Sequence, residues 1–170
     1  MSFPDGSLRI ETLAGRHDRT SFECGAPSLD RYLREQAGQD VARGIARVFV
    51  ATRDSNADAI LGFYALSAAT IGPAALPGDL ARRMPRHQVP AALVGRLAVD
   101  RRHAGQGLGR ILLADAVLRT DEAARHLGIA VVVVDPIDEA ARAFYAGFGF
   151  REALGTRQMF LVRKPAGQRP

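Results

Sequence analysis

Gly95-Arg96-Leu97-Ala98-Val99-Asp100-Arg101-Arg102-His103-Ala104-Gly105-Gln106-Gly107-Leu108-Gly109-Arg110-Ile111-Leu112-Leu113 is the stretch from which the fold is read. Residues 93–99, apolar apart from Gly95 and Arg96, predict a strand. Leu108, Ile111, Leu112, Ala116 and Leu118 recur at helical spacing and predict a long helix over 108–125. Between them lies Arg-x-x-Gly-x-Gly-x-Gly. Alternate glycines let a backbone turn tightly and approach a bulky anion. The free N–H groups and dipole of a helix start favour phosphate at that place. Arg102 and Arg110 are positioned to add charge-assisted bonds.

Beyond this helix, the β-branched run 129–134 predicts a strand buried on both faces. Strand, helix and buried strand make a βαβ unit, with parallel pairing and a right-handed crossover. Further strands are predicted over 9–13, 48–51 and 59–67, and a closing hairpin over 150–154 and 158–162. A helix over 29–39 is expected behind Ser28 as its cap, and another over 139–147 behind Asp138, ended by Gly147 and Gly149. The proline-rich segment 72–92 reads as an excursion with a short helix over 78–84. The order β-α-β-β-β-α-β-α-β-β predicts an α/β protein: a twisted mixed sheet with helices on both faces.

Composition narrows the class. At 170 residues, with 47% apolar and 24% charged residues, the chain suits one globular domain, taken as residues 1–164, and a frayed tail, 165–170. No apolar stretch approaches the ~20 residues of a membrane span, and Met1 to Arg9 lacks the pattern of a signal peptide. Cys24 is alone, so there is no internal disulfide, and no Cys/His cluster suits a metal. A reducing cytoplasm is expected. The net charge is +5, and every basic residue except Lys164 is an arginine. Codon bias explains arginine over lysine, but not the excess of positive charge. Such a surface favours nucleic acid or a phosphate-bearing cofactor.

Three anion loops compete for the glycine motif. A P-loop needs Gly-Lys-Ser/Thr, which Gly109-Arg110-Ile111 lacks. A dinucleotide loop needs Gly-x-Gly-x-x-Gly after the first strand, and both spacing and position are wrong. Arg102-x-x-Gly105-x-Gly107, between strand and helix, resembles the pyrophosphate loop of the GNAT superfamily of acyl-CoA-dependent N-acyltransferases. The resemblance runs from about Ile10 to Arg163. It implies a fold in which two parallel strands, here 93–99 and 129–134, splay around the acyl-CoA. Acetyl-CoA is then the co-substrate. Leu97, Ala98 and Val99 would meet the pantetheine through their main chain, where an N–H polarises the thioester carbonyl. One such donor is worth roughly 3–4 kcal/mol in acyl transfer generally. Arg102, His103, Ala104, Gly105, Gln106, Gly107, Leu108, Gly109 and Arg110 would form the pyrophosphate cradle, with His103 exposed and not catalytic.

Asp138-Glu139-Ala140-Ala141-Arg142-Ala143-Phe144-Tyr145-x-x-Phe148-Gly149-Phe150 resembles the family's helix after the second splayed strand. The resemblance makes Tyr145 the proton donor to the leaving thiolate, with Asp138 and Phe144 bordering the cofactor. A phenol of pKa ~10 keeps its proton at neutral pH. From the spacing alone, Tyr145 reads as a core aromatic beside Phe144, Phe148 and Phe150. No close pair of acidic residues suggests a dedicated base. A lysine amine needs about 4–5 kcal/mol to deprotonate at pH 7, an α-amine only ~1 kcal/mol, so an α-amine acceptor fits better.

Cys24-Gly25-x-x-x-Leu29-Asp30-x-Tyr32-Leu33, Gly62-Phe63-Tyr64-x-Leu66-Ser67-Ala68, Gly95-Arg96-Leu97-Ala98-Val99-Asp100, and Gln106-Gly107-Leu108-Gly109 with Leu112-Leu113-x-Asp115-Ala116 resemble one subgroup. It is the TacT-like GNAT toxins of type II toxin–antitoxin modules. The resemblance implies acetylation of the α-amino group of aminoacyl-tRNA, a block of translation, neutralisation by a ribbon-helix-helix antitoxin, and a homodimer. Arg31 and Arg34 on the first helix, and Arg82, Arg83 and Arg86 in the excursion, are the candidate tRNA contacts. Where the subgroup commonly has Pro-x-Tyr-Pro, this chain has Pro85-Arg86-His87-Gln88-Val89-Pro90, so the lip of its acceptor site differs. A GNAT enzyme for a small amine or a protein N-terminus is the alternative. A non-catalytic protein retaining the fold is a third reading.

Overall fold

The four valines Val131–Val134 form β5, and each is at most 1% exposed. β-branched side chains suit a pleated strand, and four in succession need apolar cover on both faces. The computed structural model describes residues 6–164. Its strands are β1 (Leu8–Thr12), β2 (Arg47–Arg53), β3 (Gly62–Ile71), β4 (Val89–Val99), β5, β6 (Arg151–Glu152) and β7 (Met159–Val162). They form one sheet in the order β1-β2-β3-β4-β5-β7-β6. β4 and β5 are parallel, and β1/β2, β2/β3, β5/β7 and β6/β7 are antiparallel. The helices are α1 (Pro27–Arg31), α2 (Ala37–Ala42), α3 (Gly78–Ala81), α4 (Leu108–Ala123) and α5 (Glu139–Phe148). A π-helical turn, Tyr32–Gln36, joins α1 to α2. The expected element order and mixed sheet are present. The tail 165–170 lies outside the described residues.

The chain divides into two compact units: residues up to Ser67 with Gly95–Ala116, and Ala68–Val94 with Val117 onward. In the first, alternation along β2 and β3 sends side chains to two faces. Val48, Val50 and Phe63 join Leu29, Tyr32, Leu33 and Ala37 in one core. Phe49 stacks on Tyr64, its partner in register, at 5.2 Å, and Tyr64 donates to Asp115 of α4 at 2.6 Å. Helices thus cover both faces of this unit's strands. At Gly62 a Cβ would stand 2.8 Å from Leu112 and 3.0 Å from the Ala98 carbonyl, which explains the glycine there. The second unit has its own core of Ile71, Leu76, Val89, Ala91, Val131, Val133, Ala153 and Phe160. Each such large side chain, fully buried, contributes about 1.5–3 kcal/mol.

Three local expectations are corrected. Ser28 does not cap the first helix. The cap position is Ala26, Pro27 opens the helix with its φ already set, and the Asp30 carboxylate turns back to accept from the Cys24 N–H at 2.9 Å. β4 begins at Val89, not 93, because the outward-facing Pro90 still offers its carbonyl, which accepts from the Ala130 N–H at 2.9 Å. β3 begins at Gly62, and Ala59 makes only an isolated bridge to Asp18.

Candidate active site

Pairing of β4 with β5 runs from Ala91↔Val131 to Val94↔Val134 and stops. Two residues later Arg96 has φ +64°, the one non-glycine residue in the left-handed region among the described residues. That conformation costs an L-residue roughly 1–2 kcal/mol, and inside a strand it produces a bulge-like kink. Past the kink Ala98 points into the first core, whereas Leu97 and Val99 are half-buried. Ala98 therefore offers a ligand only its main chain.

The strand leads into Asp100, whose side chain is fully buried. Its carboxylate accepts from Arg102 N–H (2.9 Å), Arg102 Nε (2.9 Å), Arg102 Nη2 (3.0 Å) and Glu23 N–H (3.1 Å). Burial by itself raises the pKa of such a group. The Arg102 side chain and the two main-chain donors outweigh it and hold Asp100 below the ordinary aspartate value. The same contacts cap a 3-10 turn, Arg101–His103. Arg102, expected to reach toward phosphate, is thus gripped by Asp100 and also donates to the Ser21 carbonyl at 3.1 Å. A buried carboxylate needs a cation, and the nearest guanidinium supplies it. Asp100 is the organising residue that the sequence reading did not single out. Aspartate at the end of a strand before a turn was the available signal. His103, expected to be exposed, is half-buried.

Gly105 (φ +76°) and Gly107 (φ +80°) follow, and a Cβ on either would meet nothing within 4 Å. The backbone requires glycine at both positions, and the space beside them is open. Gln106 accepts from Arg53 Nη2 at 3.3 Å. Leu108 opens α4 and is buried, so it too offers only its main chain. The first N–H groups of a helix lack intrahelical acceptors, and here they follow the glycines directly. Arg101 pairs with Glu23. Arg110 is exposed, and among the described residues its guanidinium has no partner.

Tyr145 lies on α5 in the second unit. Asp138 caps that helix, accepting from the Ala141 N–H at 2.8 Å, as its position predicted. The Tyr145 ring is buried and meets the edges of Phe144 at 5.2 Å and Phe150 at 5.6 Å. Among the described residues its hydroxyl has no hydrogen-bond partner. Burial, and secondarily the Asp135 carboxylate, push its pKa up to about 12. Asp135, at the end of β5, was not anticipated as an influence on this group. The five candidate tRNA arginines, Arg31, Arg34, Arg82, Arg83 and Arg86, are all exposed and unpaired among the described residues. Arg31 and Arg34 belong to the first unit, the other three to the excursion of the second. Among the described residues no group of His, Cys, Asp and Glu could hold a metal ion.

The kinked strand and the glycine turn opening onto a helix in the first unit, and the protonated phenol in the second, are each parts that acyl transfer uses. The chain belongs to the GNAT acetyltransferase family: residues 44–152 match the family described as "Acetyltransferase (GNAT) domain". It is 44% identical over 133 residues, 78% of each chain, to a protein of Mycobacterium tuberculosis (strain ATCC 25618 / H37Rv) described as "tRNA-acetylating toxin". Among solved structures it resembles AtaT complexed with acetyl-methionyl-tRNAfMet, with TM-score 0.86 and 29% identity over 92% of this chain and 95% of that one. It also resembles a tyrosine-to-phenylalanine mutant of AtaT bound to the C-terminus of the antitoxin AtaR and acetyl-CoA. There the TM-score is 0.77, with 26% identity over 92% and 93%. No helix among the described residues is long and apolar enough to cross a membrane.

Proposed function

We propose that this protein is a toxin that transfers acetyl from acetyl-CoA to the α-amino group of aminoacyl-tRNA and so stops translation. The observation that carries this reading is the 44% identity, across 78% of the chain, to a tRNA-acetylating toxin. Five exposed, unpaired arginines suit a polyanionic acceptor. By analogy with the AtaT complex, a cognate antitoxin neutralises it. We assign that antitoxin to the ribbon-helix-helix type, the protein to a homodimer, and its site of action to the cytoplasm, where charged tRNA is found.

The co-substrate supplies an activated acetyl thioester. The Gly105–Arg110 backbone and the unpaired Arg110 are assigned to its pyrophosphate, with His103 and Ala104 beside it. The main chain of Leu97, Ala98 and Val99, past the end of β5 pairing, is assigned to its pantetheine. Arg102 contributes by holding the turn. Phe144 packs against Tyr145, and Asp138 fixes the start of their helix. Transfer forms an N–C bond and breaks the C–S bond. The departing sulfur takes the Tyr145 proton, and the proton shed by the nitrogen restores the phenol through solvent.

Incubation with labelled acetyl-CoA and charged or uncharged tRNA tests the acceptor. Label on the charged form alone is expected. Label on polyamines or peptides, with tRNA inert, would replace this reading by a small-amine or N-terminal acetyltransferase. The cradle has its own check. Gly107→Ala forces a Cβ onto φ +80°, and acetyl-CoA affinity by calorimetry should weaken at least tenfold. Unchanged affinity would remove the loop from the binding site.

A further inference from the structure

Arg96 is a residue in the wrong conformation for its type. It holds φ +64° in the middle of β4, where glycine would be unstrained. Backbone strain kept at a non-glycine residue implies that the side chain is needed there. That side chain is exposed. Its guanidinium lies 4.6 Å from the ring centroid of Tyr32. Among the described residues, none of its N–H donors meets a carboxylate or a carbonyl.

The platform beneath it is built with care. Tyr32 is 4% exposed, stacks on Phe63 at 6.4 Å between centroids, and donates its hydroxyl to Asp40 Oδ2 at 3.0 Å. It opens the π-helical turn, a feature often found at functional sites, and the Ala37 N–H closes that turn on the Tyr32 carbonyl. Burial and Asp40 push its pKa up to about 12, so the ring stays neutral beneath the cation. A guanidinium held over an aromatic ring still has its donors in a planar fork, the geometry that grips phosphate oxygens. Arg31 and Arg34, on the same helical run as Tyr32, leave further free positive charge nearby in sequence.

We propose that Arg96, held over the Tyr32 ring, binds a backbone phosphate at the single-stranded 3′ end of the nucleic-acid acceptor. It thereby sets the acceptor's register against the neighbouring main chain of Leu97. This inference rests on the aminoacyl-tRNA reading above and names a residue that determines the use of that acceptor.

Arg96→Gly relieves the strain and removes the fork, and Arg96→Lys keeps the charge without the fork. For Arg96→Gly, kcat/KM for aminoacyl-tRNA should fall at least tenfold, while KM for acetyl-CoA moves less than twofold and Tm does not fall. One lost phosphate contact to a single strand should reduce the slope of log kcat/KM against log salt by about 0.7. Arg96→Lys should recover that slope without recovering the full rate. An unchanged slope in Arg96→Gly, with the native protein active on charged tRNA, would overturn the phosphate contact alone. So would a loss of rate matched by a fall in Tm, which would make the arginine a structural clamp on Tyr32. Native protein that labels free amines but no charged tRNA would remove the acceptor reading and this inference with it.

Discussion

Tyr145→Phe should lower the rate of acetyl transfer by a factor of about 10²–10⁴ without loss of stability, the usual range for removing a positioned acid. At 1.36 kcal/mol per decade this is about 3–5 kcal/mol of transition-state stabilisation. The ring packing against Phe144 and Phe150 survives the change. The hydroxyl it removes has no protein partner among the described residues and is not a sealed polar atom, so its loss breaks no protein hydrogen bond. Tm should therefore stay level, and acetyl-CoA affinity should not change. Few active-site substitutions separate chemistry from folding so cleanly. With a pKa of about 12, the phenol is protonated throughout the working range, so the native pH–rate profile should show no alkaline decline from this group below about pH 11. Free thiol released per minute, with charged acceptor saturating, is the measurement. A variant within threefold of the native rate would take proton donation away from Tyr145.

Asp100→Ala carries the largest expected loss of stability, about 3 kcal/mol. Its carboxylate accepts from two main-chain N–H groups, Glu23 and Arg102, as well as from the Arg102 side chain. A buried donor left unmade costs about 1–3 kcal/mol. At 2–4 °C per kcal/mol for a chain of this size, Tm should drop by about 10 °C in thermal unfolding. Acetyl-CoA affinity should fall with it, because the turn that presents the glycines is set by these bonds. Asp100→Asn keeps shape and one acceptor and should lose less. The sign of the pH effect follows from the depressed pKa. Charged Asp100 adds stability above its unfolded value of ~3.9, and that contribution disappears as pH falls through the folded value. Native and Asp100→Asn stabilities should therefore converge below about pH 4. A constant difference down to pH 2 would mean that the charge contributes nothing.

Local chemistry explains what was legible from the sequence. Val131–Val134 has one reasonable conformation, Asp138 sits where a cap must, and alternate glycines before an apolar helix leave few options for residues 105–109. What stayed hidden depends on burial and on contacts that only the fold creates. Arg102 looked free because the full burial of Asp100, which makes the carboxylate hold it, is set by the surrounding fold and by the distant Glu23 N–H. Pro90 looked like a breaker because its carbonyl acceptor role needs Ala130, forty residues later. The π-helical turn was invisible because Tyr32–Gln36 keeps an ordinary helical composition, and the insertion shows in the Ala37 N–H reaching back to the Tyr32 carbonyl. The kink at Arg96 ran against residue preference, since glycine stands one position earlier, at Gly95. The identities of the cradle residues were readable, but which of them act through backbone and which through side chain was not.

The left-handed residue in β4 also bears on how this chain tolerates insertions and deletions. Beyond the kink only Ala98 is buried, with Leu97 and Val99 half-buried on either side of it, so the register of this segment is fixed by a single small side chain. Removing or adding one residue between Gly95 and Val99 would turn Ala98 outward and drive Leu97 or Val99 into a space sized for a methyl group. A length change in the exposed turn 54–58 meets no such constraint. Lineages of this protein should thus vary in length at that turn while the spacing from Val94 to Asp100 stays fixed.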